Sequence, residues 1–171
     1  MVLELPDPPL ADTRVALRSW TDADLSDAVA GSNDPLVPRF TSVPENNTLE
    51  NVLAYVATHE PKRRSGEELH LAMADPETDR FLGPLSLFRF DWAAREGEIG
   101  YWLAPWARGR GVATSAVTLL SGWAFDHLPL TSLKLRIDED NDASLAVAAR
   151  AGFTQSSAAA EGGIVTLHRT R

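Results

Sequence analysis

The sequence of 171 residues contains no cysteine. Disulfide bridges, thiolate metal sites and a cysteine nucleophile are therefore all excluded. The four histidines are too far apart in the chain to form a short metal-binding motif, so we expect no metal site. We expect helix-end or strand-surface positions for them, at His59, His70, His127 and His168.

The sequence also lacks a long apolar run. Its longest mostly apolar stretch, residues 112–125, is too short and too rich in serine and threonine to span a bilayer. Residues 1–12 carry acids and prolines where a secretory signal would need a basic segment and an apolar run. We expect these residues to form a loose N-terminal tail, and we expect a cytoplasmic protein that does not associate with membranes.

Positive charge is scarce. The net charge is −8, and residues 1–60 alone carry ten acids against three arginines. Such a sequence offers no basic surface for nucleic acid. If the acidic first part lay on one side of a cleft, it would attract a cationic amine. The alternative interpretation is a solvated acidic surface that only aids solubility.

One stretch, residues 98–126, is predicted to organise the chain. Alternating apolar residues from Ile99 predict a half-buried strand, which Pro105 ends. A basic turn, residues 108–111, then opens a long apolar helix. Its two glycines let the backbone approach a bound group, and the start of the helix offers unpaired N–H donors. This pattern predicts a phosphate-binding loop with added charge from Arg108 and Arg110; the alternative is a simple tight turn.

Two common phosphate-binding motifs do not fit this loop. A dinucleotide-binding fingerprint belongs to an early strand–turn–helix unit and is followed about 20 residues later by an acid. Here the loop lies in the second half of the chain. A P-loop would need Gly-Lys-Ser/Thr, which the sequence does not contain.

Three motifs together resemble a known family: Arg108-x-x-Gly111-x-Ala113, Asn141-x-x-Ser144 and Ala151-Gly152-Phe153. They are similar to the GCN5-related N-acetyltransferases (GNAT), and most similar to the branch with the bacterial ribosomal-protein N-terminal acetyltransferases. The resemblance implies that backbone amides of the loop hold the pyrophosphate of acetyl-CoA. The cofactor-binding residues that it implies are Trp102, Leu103, Arg108, Gly109, Arg110, Gly111, Val112, Ala113, Thr114, Asn141 and Arg150.

The hydrophobic patterns predict an α+β fold: a mixed, mostly antiparallel central sheet with helices on both faces, in the order β-α-α-β-β-β-α-β-α-β-β. This order also resembles the acetyltransferase fold, and we expect one domain over residues 1–171. Asn47-x-x-Glu50 is predicted to cap the second helix, and Gly83-Pro84 indicates a bulge or a sheet edge. Residues 32–46 are predicted to form a loop, interpreted as a substrate lid.

Acetyl transfer to an amine needs the amine to be neutral, and a free α-amine with a pKa of about 8 needs only a weak base. Glu98, on the strand before the loop, is our candidate base. Its alternative is a solvent-facing partner for Arg95 or Arg136. The resemblance implies that the Leu103 N–H holds the acetyl carbonyl, and that Ser144 donates a proton to the leaving thiolate. Helix capping alone is the alternative for Asn141 and Ser144.

The predicted function is an acetyl-CoA-dependent N-acetyltransferase that acts by direct transfer in a ternary complex, because no cysteine can carry the acetyl group. The acceptor is a primary amine, with a protein N-terminus favoured over a small molecule. A homodimer is compatible with the sequence. One alternative is a non-catalytic acyl-CoA-binding or partner-recognition module that makes no use of Glu98 or Ser144. Another, a dinucleotide oxidoreductase, is disfavoured by the late loop. We expect Trp102 or Trp106 to line the acceptor pocket.

One departure from the family's pattern is visible after the loop. Many relatives have Glu-Ala at the positions of Ser115-Ala116. The phosphate-binding loop itself is unaffected by this difference. A partner that the missing glutamate would hold is therefore in doubt.

Overall fold

The computed structural model describes residues 1–155 and 160–171, and the strands within them form one sheet. These strands are β1 (Leu10–Ala11), β2 (Ala16–Arg18), β3 (Leu69–Ala74), β4 (Phe81–Asp91), β5 (Glu96–Tyr101), β6 (Ser132–Asp138), β7 (Thr154–Gln155) and β8 (Ile164–Thr170). Their order in the sheet is β1-β2-β3-β4-β5-β6-β8-β7. The β5–β6 pair is parallel and the other neighbours are antiparallel, so the prediction of a mixed, mostly antiparallel sheet is confirmed.

The helices of the described residues are α1 (Leu25–Ser32), α2 (Leu36–Phe40), α3 (Leu49–Val56), α4 (His59–Ser65), α5 (Val112–His127) and α6 (Asp142–Arg150). Helix α5 connects the parallel strands β5 and β6, as a parallel pair requires. None of these helices combines the length and the apolar character needed to cross a bilayer.

Two hydrophobic clusters lie on opposite faces of the sheet. In β3, Met73 belongs to the large cluster with residues of α5 and α6, whereas its neighbour Ala72 packs with Ala28 of α1 and Val52 of α3. Successive residues of a strand point to opposite faces. Helices α5 and α6 therefore cover one face, and α1 and α3 cover the other, as predicted.

The N-terminal residues do not form the loose tail that we expected. Leu3 is fully buried in the large cluster. Its N–H donates to the carbonyl oxygen of Arg63 at 3.0 Å, and the Arg63 guanidinium donates to the Leu3 carbonyl at 2.6 Å. Strand β1 then pairs with β2. Burial of one leucine and these hydrogen bonds fix a segment whose prolines suggested irregular structure.

Two local predictions between β2 and β3 also need correction. The expected loop at residues 32–46 contains the short helix α2, and the expected second helix divides into α3 and α4. The cap of α3 is Thr48 rather than Asn47, since the Thr48 hydroxyl accepts the Asn51 N–H at 3.2 Å. Within the described residues, the element order therefore has one strand and two α-helices more than predicted.

The predicted irregularity at Gly83 is a β-bulge. The β3–β4 register shifts there, from Met73 opposite Gly83 to Ala74 opposite Phe81. A side chain at Gly83, where φ is +148°, would collide with the Trp102 backbone. Strand β4 is not a sheet edge, because it lies between β3 and β5. The bulge lets the chain after β5 approach β4 closely.

Candidate active site

A gap opens in the sheet between the two parallel strands. Strands β5 and β6 pair only from Glu96 to Glu98, although β5 stays paired with β4 as far as Tyr101 and β6 stays paired with β8 as far as Asp138. A cavity of about 980 Å³ occupies this gap. Residues 99–103 and 135–138 border it, together with the start of α6 and the segment of α2 and its following loop. The segment that we interpreted as a lid therefore borders the cavity.

The gap connects the two faces of the sheet. Glu98 and Gly100 lie on the face covered by α1 and α3, whereas Ile99 and Tyr101 pack with the cluster of α5 and α6. Side chains from both faces border the same cavity. Two reactants could therefore enter from opposite faces and meet at the end of β5.

The glycine loop has the geometry of an anion-binding site. Gly109 and Gly111 have φ values of +74° and +77°, and α5 begins directly after Gly111. Its first helical bond runs from the Ser115 N–H to the Gly111 carbonyl at 3.0 Å. In the part of the chain that the structure describes, no backbone carbonyl accepts from the N–H groups of residues 109–114. These free donors and the open space at Gly109 fit a phosphate group.

The two loop arginines are paired with acids. Arg108 lies 2.8 Å from the carboxylate of Asp34, and it also donates to the Leu103 carbonyl at 3.0 and 3.2 Å. Arg110 lies 3.0 Å from Asp75. The guanidinium groups lower the pKa of both carboxyl groups. Arg108 thus connects the loop, the end of β5 and the α1–α2 connection.

Glu98 is buried at the cavity, with its side chain 6 % exposed. Its carboxylate accepts from Arg89 at 3.0 and 3.3 Å. The alternative, in which Glu98 faces solvent and pairs with Arg95 or Arg136, is wrong, because Glu98 is buried and its partner is Arg89. Arg89 is thus the ion-pair partner of Glu98 at the cavity. A carboxylate here can bind an ammonium group and accept a proton from it.

The end of β5 supplies a free main-chain donor. Among the described residues, no group accepts from the Leu103 N–H. The neighbouring Trp102 borders the cavity and packs edge-on against Phe81. Trp106 does not border the cavity, because its indole N–H donates to the Phe81 carbonyl at 2.9 Å. Of the two tryptophans that we considered for the pocket, the structure places Trp102 there.

The start of α6 brings two predicted residues to the cavity. Asn141 is the N-cap of α6, and its side-chain oxygen accepts the Ser144 backbone N–H at 3.1 Å. Capping therefore uses the backbone of Ser144 and leaves its hydroxyl available. Arg150 is exposed at the other end of α6, about 12 Å along the helix axis, and does not border the cavity.

Sequence reasoning missed Tyr101 as a site residue. Its hydroxyl is buried at the cavity and makes no hydrogen bond of normal geometry within the described residues. Burial raises the pKa of Tyr101 to about 12, although the nearby Ser144 hydroxyl opposes this shift. The alternation along β5 predicted which face Tyr101 occupies, but it carried no signal that α6 would meet it there.

The charges at the cavity differ from our expectation. Within the described residues, none of the acids of residues 1–60 borders the cavity. The only charged side chain that this part of the chain contributes to the border is Arg39. Several of its acids are ion-paired instead, such as Asp24 with Arg18 and Asp27 with Arg80. The bordering charges are four acids and four arginines, namely Glu98, Asp138, Asp140, Asp142, Arg39, Arg89, Arg108 and Arg136.

Two further observations concern the other sequence predictions. Ser115, where the resemblance led us to expect a glutamate, donates to the Asp12 carboxylate and so attaches α5 to the N-terminal segment. The described residues contain no group of three or more histidine and acidic side chains arranged to hold a metal ion.

Comparison with known proteins identifies the family. The sequence model described as the acetyltransferase (GNAT) domain matches residues 14–154. This chain belongs to the GNAT acetyltransferase family. The prediction of an acetyltransferase of this family is confirmed, whereas the acceptor remains a prediction.

One relative and two solved structures illustrate the similarity. A probable N-acetyltransferase of Bacillus subtilis, YjcK, is 27% identical over 136 residues, which are 78% of this chain and 75% of that protein. A structure of a putative ribosomal-protein-serine acetyltransferase from Vibrio cholerae superposes with a TM-score of 0.82 at 18% identity over 100% of both chains. The structure of RimL, a ribosomal L7/L12 alpha-N-protein acetyltransferase in complex with coenzyme A, gives 0.78 at 19% identity, covering 93% of this chain and 95% of that chain. At these identities the structures show a shared fold.

Proposed function

We propose that this GNAT protein transfers the acetyl group of acetyl-CoA directly to a primary amine, with a protein N-terminal α-amine as the favoured acceptor. The observation that carries the proposal is the gap between β5 and β6. It joins a face with free loop amides to a face with a buried carboxylate. All described strands belong to one sheet, which supports a single acetyltransferase domain over residues 1–171.

The donor side is formed by the loop, α5 and α6. Acetyl-CoA supplies the acetyl group as an activated thioester. The free N–H groups of residues 109–114 would hold its pyrophosphate, with Gly111 positioning the start of α5. Asn141 would contact the pantetheine arm, and the Leu103 N–H would hold the acetyl carbonyl as a main-chain oxyanion donor. RimL, which shares the fold, was solved with coenzyme A.

The acceptor side is formed by Glu98 and the segment around α2. The negative Glu98 attracts the ammonium group and accepts one of its protons. An α-amine with a pKa of about 8 is neutral at pH 7 roughly 250 times more often than lysine, a difference of about 3 kcal/mol. A single carboxylate therefore suffices for an α-amine.

The balance of charge favours a protein N-terminus over a polyamine. A polyamine carries several positive charges and would be bound best by an acidic cavity. Here four arginines accompany the four acids at the border. The names of the two solved structures, both with ribosomal-protein acceptors, support the same choice.

The leaving thiolate would receive a proton on the α6 side of the gap. Ser144 is our proposed donor, and the buried Tyr101 hydroxyl is a second donor beside it. An alkyl thiol has a pKa of about 8.5, so a donor accelerates this step only modestly at neutral pH.

Release of coenzyme A, measured with a panel of amines, tests the proposed function. We expect turnover with a peptide that has a free N-terminus, and little turnover with the same peptide when its N-terminus is blocked and it contains lysine, or with spermidine. Preference for spermidine would contradict the proposed acceptor. Tight acetyl-CoA binding without turnover on any amine would favour a non-catalytic binding module.

A further inference from the structure

A buried hydrogen-bonded group lies beside the cavity, on the face that carries Glu98. His70 of β3 is at its centre and is 8 % exposed, so the prediction of a surface histidine is wrong for this residue. Its Nε2 lies 2.7 Å from the Glu68 carboxylate. Its Nδ1 lies 2.8 Å from the Ser86 hydroxyl and 3.0 Å from the Tyr55 hydroxyl. Neither capping nor core packing explains three polar side chains around one imidazole.

The neighbours decide which nitrogen carries the proton. A carboxylate only accepts hydrogen bonds, so Nε2–H donates to Glu68. Neutral His70 therefore has its lone pair on Nδ1, directed at the Ser86 and Tyr55 hydroxyls. Only one of these hydroxyls can donate fully into that lone pair at a time. The imidazole is thus arranged to accept a proton through a hydroxyl.

The groups packed around His70 keep it neutral but able to take a positive charge. Burial lowers the pKa of His70, and Glu68 opposes this shift. His59 of α4 stacks on the ring at 4.2 Å between centroids, and burial lowers the pKa of His59 to about 3. Lys62 of α4 forms an ion pair with Glu68 at 2.9 Å, so its positive charge near the ring is paired with a carboxylate. His70 is therefore unprotonated at neutral pH, and Glu68 would stabilise its protonated form.

The sheet register places this group next to the gap. His70 pairs with Ser86, and Ser86 pairs with Gly100 at the point where β5 separates from β6. Directly paired residues of antiparallel strands share a face, and adjacent strands lie about 4.8 Å apart. Gly100 has no side chain, and the space beside it is filled by the Phe88 ring, which also borders the cavity. Ser86 and Tyr55 both border the cavity.

We propose that Ser86, supported by His70 and Glu68, is a second proton acceptor for the acceptor amine. This inference rests on the proposed function. An ammonium group loses two protons when it becomes an amide nitrogen; one ends on the thiol of coenzyme A and the other in water. Glu98 accepts one of them.

The other proton is taken up by the hydrogen-bonded side chains of Ser86 and His70. The nitrogen–hydrogen bond breaks as a new O–H bond forms on the Ser86 Oγ, while the original hydroxyl proton moves to His70 Nδ1. The resulting imidazolium is stabilised by its Nε2–H bond to Glu68. After the product leaves, the Nδ1 proton returns through the Ser86 hydroxyl to water in the cavity, which restores the Nε2–H tautomer. Ser86 ends the step as a hydroxyl, so no covalent intermediate forms. His70 acts through Ser86 and is a positioning residue.

The test combines nitrogen NMR of histidine in the free protein with kinetics of Ser86→Ala and His70→Gln. NMR is expected to show His70 as the neutral Nε2–H tautomer; an Nδ1–H tautomer overturns the proposal. In the kinetics we expect kcat to fall about 100-fold, at the lower end of the range of general-base effects, with acetyl-CoA affinity unchanged. Burial lowers the pKa of His70, so protonation of His70 reduces the parent's kcat only on the acid side of the ordinary histidine range, and this part of the loss is expected to disappear in both variants.

The control is Ser121→Ala, which removes another buried serine hydroxyl but lies in α5 away from the cavity. It is expected to keep the parent's kcat and pH profile. If His70→Gln does not fold, Ser86→Ala alone decides. Unchanged kcat in a folded Ser86→Ala overturns the second acceptor and leaves the proposed function intact. A parent without turnover on any amine overturns the proposed function itself, while the NMR result still reports on the hydrogen bonds.

Discussion

The guanidinium of Arg108 forms an ion pair with Asp34 at 2.8 Å. Arg108 follows β5 at the start of the glycine loop, and Asp34 precedes α2, whose residues border the cavity from the acceptor side. The same guanidinium holds the carbonyl of Leu103, whose N–H is the proposed oxyanion donor. The donor side and the acceptor side of the site therefore share one fixed contact.

Asp34→Asn is expected to destabilise the protein by about 0.5–1 kcal/mol at pH 7, since the pair is partly exposed. Arg108 lowers the pKa of Asp34 in the folded protein. The stabilisation from this ion pair is therefore complete above the pKa of Asp34 in the unfolded state, about 3.9, and is lost as the pH falls through the lower pKa of the folded state. The melting temperature should differ from that of the parent at pH 7, and the difference should narrow from pH 5 towards pH 3. Asp27→Asn, which breaks the partly exposed pair of Asp27 with Arg80, is the control for the loss of one ion pair elsewhere. A constant difference across this pH range would contradict the assignment.

Gly111→Trp is expected to weaken acetyl-CoA binding at least about tenfold. A side chain at Gly111 would meet the Arg14 side chain at 3.3 Å, so the loop would have to shift, and a lost hydrogen bond to a charged group costs about 1.5–3 kcal/mol. The positive φ of Gly111 adds a stability loss of about 1–2 kcal/mol. Calorimetric titration with acetyl-CoA measures the affinity, and circular dichroism confirms folding.

The matched control for the loop is Gly122→Ala in the interior of α5, where an added Cβ meets no atom within 4 Å. Alanine is favoured over glycine in a helix by about 1 kcal/mol. This variant should be more stable than the parent and bind acetyl-CoA equally well. Equal affinities for the parent and Gly111→Trp would remove the loop from the cofactor site.

Local backbone signals explain what the sequence could predict. Gly111 was recognisable because two glycines in a basic turn before an apolar helix are typical of a phosphate-binding loop, and Asn141 because capping depends only on residues three positions away. These two signals pointed to the donor side that we propose. They required no knowledge of how strands pair.

The remaining contacts depend on register and on distant segments. Arg108 and Asp34 are 74 positions apart, and the His70–Ser86 contact exists only because β3 and β4 pair in one register. The partner of Glu98 is Arg89 because a bulge at the end of β4 turns that side chain back onto β5. Hydrophobic alternation predicts a face of a strand, but it does not predict the neighbour on that face.

Ser144→Ala should lower kcat no more than about threefold, because protonation of a thiolate with a pKa of about 8.5 is not demanding at pH 7. The helix cap survives, since Asn141 binds the backbone N–H of Ser144 rather than its hydroxyl. Tyr101→Phe removes the neighbouring buried hydroxyl, which stays protonated because the pKa of Tyr101 is raised to about 12. A larger loss in Tyr101→Phe than in Ser144→Ala, measured as kcat at saturating acetyl-CoA, would transfer the role of donor to Tyr101.

Glu98→Gln should lower turnover most at low pH, because the acceptor amine is then almost fully protonated and depends most on a proton acceptor. Acetyl-CoA affinity should not change, since the loop amides and Asn141 are untouched. The amide is close in size to the carboxylate but cannot take a proton from the amine, and it weakens the bond from Arg89. Initial rates from pH 6 to pH 9, together with melting curves, separate lost catalysis from lost stability.

Glu96→Gln is the matched control for Glu98→Gln. It lies on the same strand two residues earlier, and its carboxylate is held by Lys134 at 2.6 Å rather than bordering the cavity. Both variants remove one acid from β5 and one ion pair, so a general effect of charge or stability would appear in both. If the pH–rate profile of Glu98→Gln overlays those of Glu96→Gln and the parent, Glu98 is not the base and the proton passes to another group. The double variant Ser86→Ala with Glu98→Gln then tests whether that group is Ser86 with its hydrogen bond to His70.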